Sequence, residues 1–401
     1  MHILLVADGR SPITQRWIQG LFTLRHEVTL VSTFPCQQLA GLKGFYTLPV
    51  AFGSLGGSQL SRRGGETSGG VKKMVSGSRS LFLKGRYIFG PLTLPFYANR
   101  FQKIVRGASP DLVHALRIPF EGMLAASTPK EIPLLVSIWG NDLTLHAGGS
   151  PWMRSATQRT LQHASGLLAD ASRDIRLGQS WGFSPEKPSL VVPGGGGVDL
   201  VEMFQMRKEA TETLLTMLPA GVPLIINPRG FRPGSVQNDI FFRSIPFVLD
   251  RKPTVQFICT AMAGQTEAEG WVQRLKIGSN VRLLPFLPQA QLWSLFMRSD
   301  ATVSVSSHDG TPNSLLEAMA CGCFPIVGDI ESLREWITPG VNGFLVEPGK
   351  AQNLAEAIIQ LLDHPELRKS AAEINQRLIR ERAETNLVRS QIQVFYQRFI
   401  Q

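Results

Sequence analysis

Two carboxylates, Asp309 and Glu317, stand eight positions apart around Gly310-Thr311-Pro312-Asn313-Ser314-Leu315-Leu316. Residues 301–305 are strand-like, and Asp309-Gly310 marks a turn after them. Thr311 then reads as a helix N-cap, and Pro312 fits the first helical position. The predicted helix runs through Ala320 and stops at Gly322. One acid therefore sits in the loop before the helix and the other lies on it. The first-turn amides of Asn313, Ser314 and Leu315 have no acceptor within the helix, and the helix dipole is positive there. Such a start holds an anion, above all a phosphate.

These groups need a scaffold, and the rest of the chain supplies one. Residues 3–7 form a continuous apolar run that ends in Asp8-Gly9-Arg10-Ser11-Pro12. A helical pattern follows over 14–24, with Trp17, Ile18, Leu21 and Phe22 on one face, and a second apolar run covers 28–31. Residues 111–115, 134–139, 167–169 and 190–192 read as further strands. Pro193-Gly194-Gly195-Gly196-Gly197-Val198-Asp199 must be a loop, because four consecutive glycines suit neither helix nor strand. A second series then begins, with strand-like runs at 224–226, 255–258, 281–284, 301–305 and 324–327. From Ala351 onward the chain is mostly helical, with Leu354, Ala357, Ile358, Leu361 and Leu362 on one face.

Alternating strands and helices over 401 residues predict the α/β class, as two doubly wound Rossmann-like domains facing each other across a cleft. Ligands in such folds lie beyond the carboxyl ends of the strands, which places the loops at 8–16, 114–122, 139–146, 193–199, 227–236 and 306–317 around that cleft.

The segment around Asp309 and Glu317 resembles the E-x7-E region of retaining GT-B glycosyltransferases of family 4, also called glycosyl transferases group 1. Gly310, Pro312-Asn313-Ser314-Leu315-Leu316, Glu317-Ala318-Met319-Ala320 and Gly322 follow that pattern, with Asp309 where the family usually has its first Glu. The likeness continues through Glu331-Ser332-Leu333-Arg334-Glu335-Trp336 and Asn342-Gly343-Phe344-Leu345-Val346. It implies a GT-B fold, with residues 1–200 as an acceptor-binding domain, 201–384 as a nucleotide-sugar-binding domain, and 385–401 returning to the first.

Roles follow by the same resemblance. Asp309 is expected to orient the donor sugar and Glu317 to bond the nucleotide ribose. The amides of Asn313, Ser314 and Leu315, with Arg229 and Arg232, are expected to hold the donor phosphates, and Leu284 to neighbour the base through its backbone. Asn227-Pro228-Arg229-Gly230-Phe231-Arg232-Pro233 matches the family's phosphate Arg but lacks the Lys that follows it in relatives. Asp111-Leu112-Val113-His114-Ala115-Leu116 resembles a D-x-V-H-x-H strand end, with Leu116 replacing the second His. His114, Asp142 in Trp139-Gly140-Asn141-Asp142, Arg16 in the first loop and Gly195 in the glycine loop are expected in the cleft, with Asp142 on sugar or acceptor.

The implied function is transfer of a hexose from a nucleotide-diphosphate sugar to a hydroxyl of a lipid or glycan, with retention and without a metal or other cofactor. Two other readings stay open: an inactive relative that binds only nucleotide or glycan, and a GT-B nucleotide-sugar epimerase. Turnover without any acceptor would mark the epimerase. Binding without transfer would mark the inactive relative.

Composition narrows the field from another side. Hydrophobic content is 43% and charged content 18%, a globular composition with no run of 18 apolar residues. The start reads as a first strand and not a signal peptide, and Cys36, Cys259, Cys321 and Cys323 show no disulfide framework, so a cytoplasmic location is expected. Cys321-Gly322-Cys323 has no partner pair at zinc spacing. No Gly-x-Gly-x-x-Gly follows the first strand and no Walker A sequence is present, which argues against a dehydrogenase and a P-loop enzyme. The net charge of +10 sits entirely in residues 1–200, which carry 21 Lys and Arg against 11 Asp and Glu. Nine basic residues and one acid fall in 41–100. Without aromatic interleaving or a nucleic-acid motif, the basic region 53–86 is expected to touch an anionic membrane surface or anionic substrate rather than nucleic acid.

Overall fold

The computed structural model describes residues 1–53, 85–206, 221–232 and 234–400. The basic stretch 53–86 lies outside them except at its ends. The chain forms two compact units, Met1–Gly196 with Arg389–Gln401, and Gly197–Val388.

The first unit is built on seven parallel strands: β1 (His2–Ala7), β2 (Glu27–Ser32), β3 (Gly44–Thr47), β4 (Leu112–Ala115), β5 (Leu134–Ile138), β6 (Gly166–Ala169) and β7 (Ser189–Val191). Their order is β3-β2-β1-β4-β5-β6-β7. Every residue of β1, β4, β5 and β6 is buried, as a parallel sheet covered on both faces requires. The helix Pro12–Thr23 buries Thr14, Trp17, Ile18 and Leu21. The helix Pro151–His163 starts at Ser150, whose hydroxyl accepts from the Met153 amide at 3.1 Å. The sequence reading missed β3, an edge strand of half-buried and exposed residues.

The second unit repeats the architecture with β8 (Leu224–Asn227), β9 (Gln256–Cys259), β10 (Val281–Leu283), β11 (Ala301–Ser304), β12 (Phe324–Gly328) and β13 (Phe344–Val346), ordered β10-β9-β8-β11-β12-β13 and all parallel. Its core packs Phe241, Phe242, Phe257 and Phe324 with Leu354, Ala357, Ile358 and Leu361 of the helix Ala351–Asp363. At the junction with the first unit, Gly196 and Gly197 take φ of +83° and +86°, backbone that side chains rarely adopt. Among the described residues no helix is long and apolar enough to cross a membrane.

His114 is a correction. It is fully buried, with Nδ1 2.7 Å from the Tyr396 hydroxyl and Nε2 2.9 Å from Ser137 Oγ. Trp17 packs edge-on to the ring and donates to the same Tyr396 oxygen at 3.3 Å. His114 therefore fastens the C-terminal segment to the first sheet from inside and is closed to a substrate. Burial pushes its pKa down to about 3. The unfolded chain takes up a proton near pH 6.5 that the folded state refuses until about pH 3, so stability present above pH 6.5 is lost as pH falls between them. The expected slope from this residue is about 1.4 kcal/mol per pH unit. Urea midpoints measured at pH 7.5, 6 and 5 should show it. His114→Gln should flatten that slope, and an equal slope in the variant would assign the proton to another group.

Candidate active site

In each sheet the strand order reverses direction once, between β1 and β4 in the first unit and between β8 and β11 in the second. Loops leaving those strands splay apart, which opens a crevice at their carboxyl ends. In the second unit the loops after β8 and β11 bring Arg229 and Asp309 together.

The Arg229 backbone amide donates to Asn227 Oδ1 at 3.0 Å, and Asn227 Nδ2 donates to Asn238 Oδ1 at 2.9 Å, which holds the loop against the next helix. The Arg229 side chain is only 6% exposed. Its Nη1 pairs with Asp309 Oδ2, which also accepts from the Ser306 hydroxyl at 3.1 Å. The Asp309 carbonyl accepts from Ser332 Oγ at 2.8 Å, and the Ser235 hydroxyl donates to the His308 carbonyl. Arginine and carboxylate are thus held in place before any ligand arrives. Arg232 is exposed and close enough to feel the charges of both Arg229 and Asp309. Glu317 is buried on the helix Asn313–Ala320, where its Oε1 accepts from Gln289 Nε2 at 2.8 Å.

Three expectations need correction here. The helix starts at Asn313 with Pro312 as its N-cap, because the Thr311 hydroxyl is engaged by Trp336 Nε1 at 3.0 Å instead of capping. The Leu315 amide donates to the Pro312 carbonyl at 2.9 Å, which leaves the half-buried Asn313 and Ser314 as the first-turn donors facing outward. Leu284 has its amide on the Cys259 carbonyl at 2.8 Å, while its own carbonyl accepts from Met262 and Ala263 at 2.9 and 3.0 Å, so its backbone is already engaged. Gly310 is buried in the turn between Asp309 and the helix.

In the first unit the loops after β1 and β4 open into a cavity of about 300 Å³. Arg10, Arg86, Arg117, Glu121, Tyr87 and His146 line it with Thr14, Phe34, Phe120 and Trp139. Arg10 grips Asp8 with Nε and Nη2, both at 3.0 Å, and lies 3.8 Å over the Phe34 ring. Arg86 stacks over Phe120 at 4.5 Å and Arg117 over Trp139 at 5.4 Å. The Tyr87 hydroxyl meets His146 Nδ1 at 2.6 Å, and burial pushes His146 down to about 4, so it is neutral near pH 7.

Asp142 is fully buried beneath this cavity. Its Oδ1 accepts from Arg117 Nη2 at 2.7 Å, and its Oδ2 accepts from the Ile118 and Trp139 amides at 3.0 and 3.2 Å. It is a positioning residue that ties the loops after β4 and β5 together, and not the substrate contact expected from the sequence. Arg16 is exposed and Gly195 buried, and neither lines the cavity.

Comparison with known proteins supports the same family. The family model for glycosyl transferases group 1 matches residues 251–378, and that for glycosyl transferase 4-like proteins matches 81–171. Both matches support a group 1 glycosyltransferase, each over less than half of the chain. A D-inositol 3-phosphate glycosyltransferase of Thermobispora bispora is 24% identical over 220 residues, which cover 52% of this chain and 50% of that protein. The chain thus spans about half the length of the curated relatives it matches. Among solved structures, the sucrose-phosphate synthase of Thermosynechococcus elongatus superposes with a TM-score of 0.72 at 15% identity, covering 99% of this chain and 98% of that one. The Anabaena protein HepE in complex with UDP and glucose gives 0.69 at 16% identity, covering 99% of each chain. The fold of this chain is therefore GT-B.

Several residues of these two clusters were not singled out in the sequence. Arg10, Arg117, Glu121 and His146 lie in loops assigned to strand ends, and that position was the available signal. Arg86 counted only as one charge of a basic stretch. Gln289 and Ser306 carry no motif, and only their contacts with Glu317 and Asp309 reveal them.

Proposed function

We propose that this group 1 glycosyltransferase moves a hexose from a nucleotide-diphosphate sugar to a hydroxyl of a lipid or glycan acceptor, with retention at the anomeric carbon. The observation that carries the reading is the preset Arg229–Asp309 pair beside the start of the helix that bears Glu317. A departing nucleoside diphosphate gains negative charge at the moment of bond breaking. Arg229 is a fixed donor for that charge and needs no reorganisation, and Arg232 with the Asn313 and Ser314 amides adds to it. Asp309 is then the group for the sugar hydroxyls and Glu317, steadied by Gln289, the group for the ribose. The reading calls for no resident cofactor, because the donor is a substrate. HepE, solved with UDP and glucose, and the inositol phosphate glycosyltransferases support a nucleotide-sugar donor.

The test is thermal shift with UDP, GDP, ADP and their sugar conjugates on the wild-type chain and on Glu317→Ala. A nucleotide at about 100 times its Kd stabilises the folded state by about 2.7 kcal/mol. One nucleotide should raise Tm in the wild type and lose most of that effect in Glu317→Ala. No shift with any of them overturns the reading. A shift without transfer to any acceptor would instead leave a binding protein.

A further inference from the structure

The cavity at the β1–β4 switch point of the first unit holds three guanidiniums, and after the close ion pairs are made one cation, Arg86, and one carboxyl, Glu121, remain. Arg10 is neutralised by Asp8 and Arg117 by Asp142. The Arg86 guanidinium makes no hydrogen bond to any described residue and rests on the Phe34 and Phe120 rings. Its Nε is a buried donor without a partner among the described residues, and so is Arg117 Nε. The hydroxyl of Thr14, a side chain 1% exposed on the cavity wall, is a third such atom. Buried polar atoms are almost always paired in folded proteins, so three orphans around one cavity point to a missing acceptor-rich ligand. Glu121 accepts from the Thr33 hydroxyl at 2.9 Å and feels the charges of Arg117 and Arg86, but burial outweighs them and pushes its pKa up, which weakens its repulsion of an anion.

We propose that this cavity binds the phosphate or carboxylate group of an anionic acceptor, with Arg86 as the principal cation and Arg117 and Thr14 as further donors. Planar guanidiniums with unspent N–H groups suit the paired oxygens of both anions. A volume of about 300 Å³ leaves room for a small polyol or sugar attached to the anion. That the anion belongs to the acceptor rests on the transferase reading above, in which the donor phosphates occupy the other unit.

The experiment is calorimetric titration of the full chain with inorganic phosphate, glycerol 3-phosphate and malonate, repeated on Arg86→Gln, Arg86→Lys and Arg229→Gln. Phosphate or malonate should bind the wild type and lose at least tenfold in affinity in Arg86→Gln. Arg86→Lys, which keeps the charge without the planar fork, should recover part of the loss and so controls for folding. Arg229→Gln should leave this binding unchanged while weakening the nucleotide. Tighter binding of glycerol 3-phosphate assigns a phosphomonoester, and tighter binding of malonate a carboxylate. Equal anion affinity in wild type and Arg86→Gln overturns the proposal, as does a loss confined to Arg229→Gln. Anion binding that depends on Arg86 in a chain that binds no nucleotide would uphold the cavity and refute the transferase reading.

Discussion

Replacing Arg229 with alanine is expected to lower kcat/KM for the donor by 10²–10³-fold, about 2.7–4 kcal/mol of barrier. The guanidinium is buried and already aligned by Ser306 and Asp309, while Asn227 holds the Arg229 backbone amide. A charge that is fixed before the reaction stabilises the leaving diphosphate without a reorganisation cost, so its removal falls on the transition state. The same change leaves the Asp309 carboxylate on the Ser306 hydroxyl and strips it of its hydrogen-bonded countercharge. A partly buried carboxylate without that cation is itself destabilising, so Tm should fall as well. Arg229→Lys restores a point charge but not the planar fork, and should recover only part of the activity. Steady-state kinetics at saturating acceptor, read beside the melting curve of each variant, separate the two effects. Activity of Arg229→Ala within threefold of wild type would remove Arg229 from the donor site.

Asp142→Ala should show the larger stability effect, a loss of about 3 kcal/mol at the low end of the range for breaking a buried pair. The carboxylate is fully buried and accepts from Arg117 and from two backbone amides, Ile118 and Trp139. Truncation leaves the buried Ile118 amide without an acceptor, a penalty of about 1–3 kcal/mol, and the partly buried Trp139 amide as well, whereas Arg117 is partly exposed and regains some solvation. Asp142→Asn keeps the shape and one acceptor oxygen and should lose clearly less. Urea unfolding at pH 7 measures both. A loss below about 1 kcal/mol in Asp142→Ala would mean that the loops after β4 and β5 are held by something else. Because Asp142 places Arg117 in the first-unit cavity, the alanine variant should also weaken phosphate there.

Both residues show where local reading stops. Asp142 lies in a loop at a strand end, as a contact residue would, and its spacing says nothing about the amides of Ile118 and Trp139 that consume its oxygens. Asp309 and Arg229 are 80 positions apart, and their pairing follows from β8 and β11 being neighbours in the sheet. His114 is a matter of parity. Successive strand residues point to opposite faces, and both faces of a parallel sheet are buried, so an apolar run does not tell which side a histidine takes. Leu284 failed for a related reason, since backbone groups at a strand end are open only if no neighbouring turn uses them.

The sequence by itself determined the α/β class, most of the strands, the strand–turn–helix around Asp309 and Glu317, and the group 1 resemblance. These rest on local facts: continuous apolar runs, glycine turns, a proline at a helix start, and a motif held within some twenty residues. Tertiary structure decided the rest. The order β3-β2-β1-β4 gathers Arg10, Arg86 and Arg117 around one cavity, although 107 positions separate the first from the last. The return of the C-terminal segment puts Tyr396 on His114 and closes that ring to any ligand. Charge pairing and burial depend on which distant segments pack together, and that is set by the whole chain's need to cover its apolar faces.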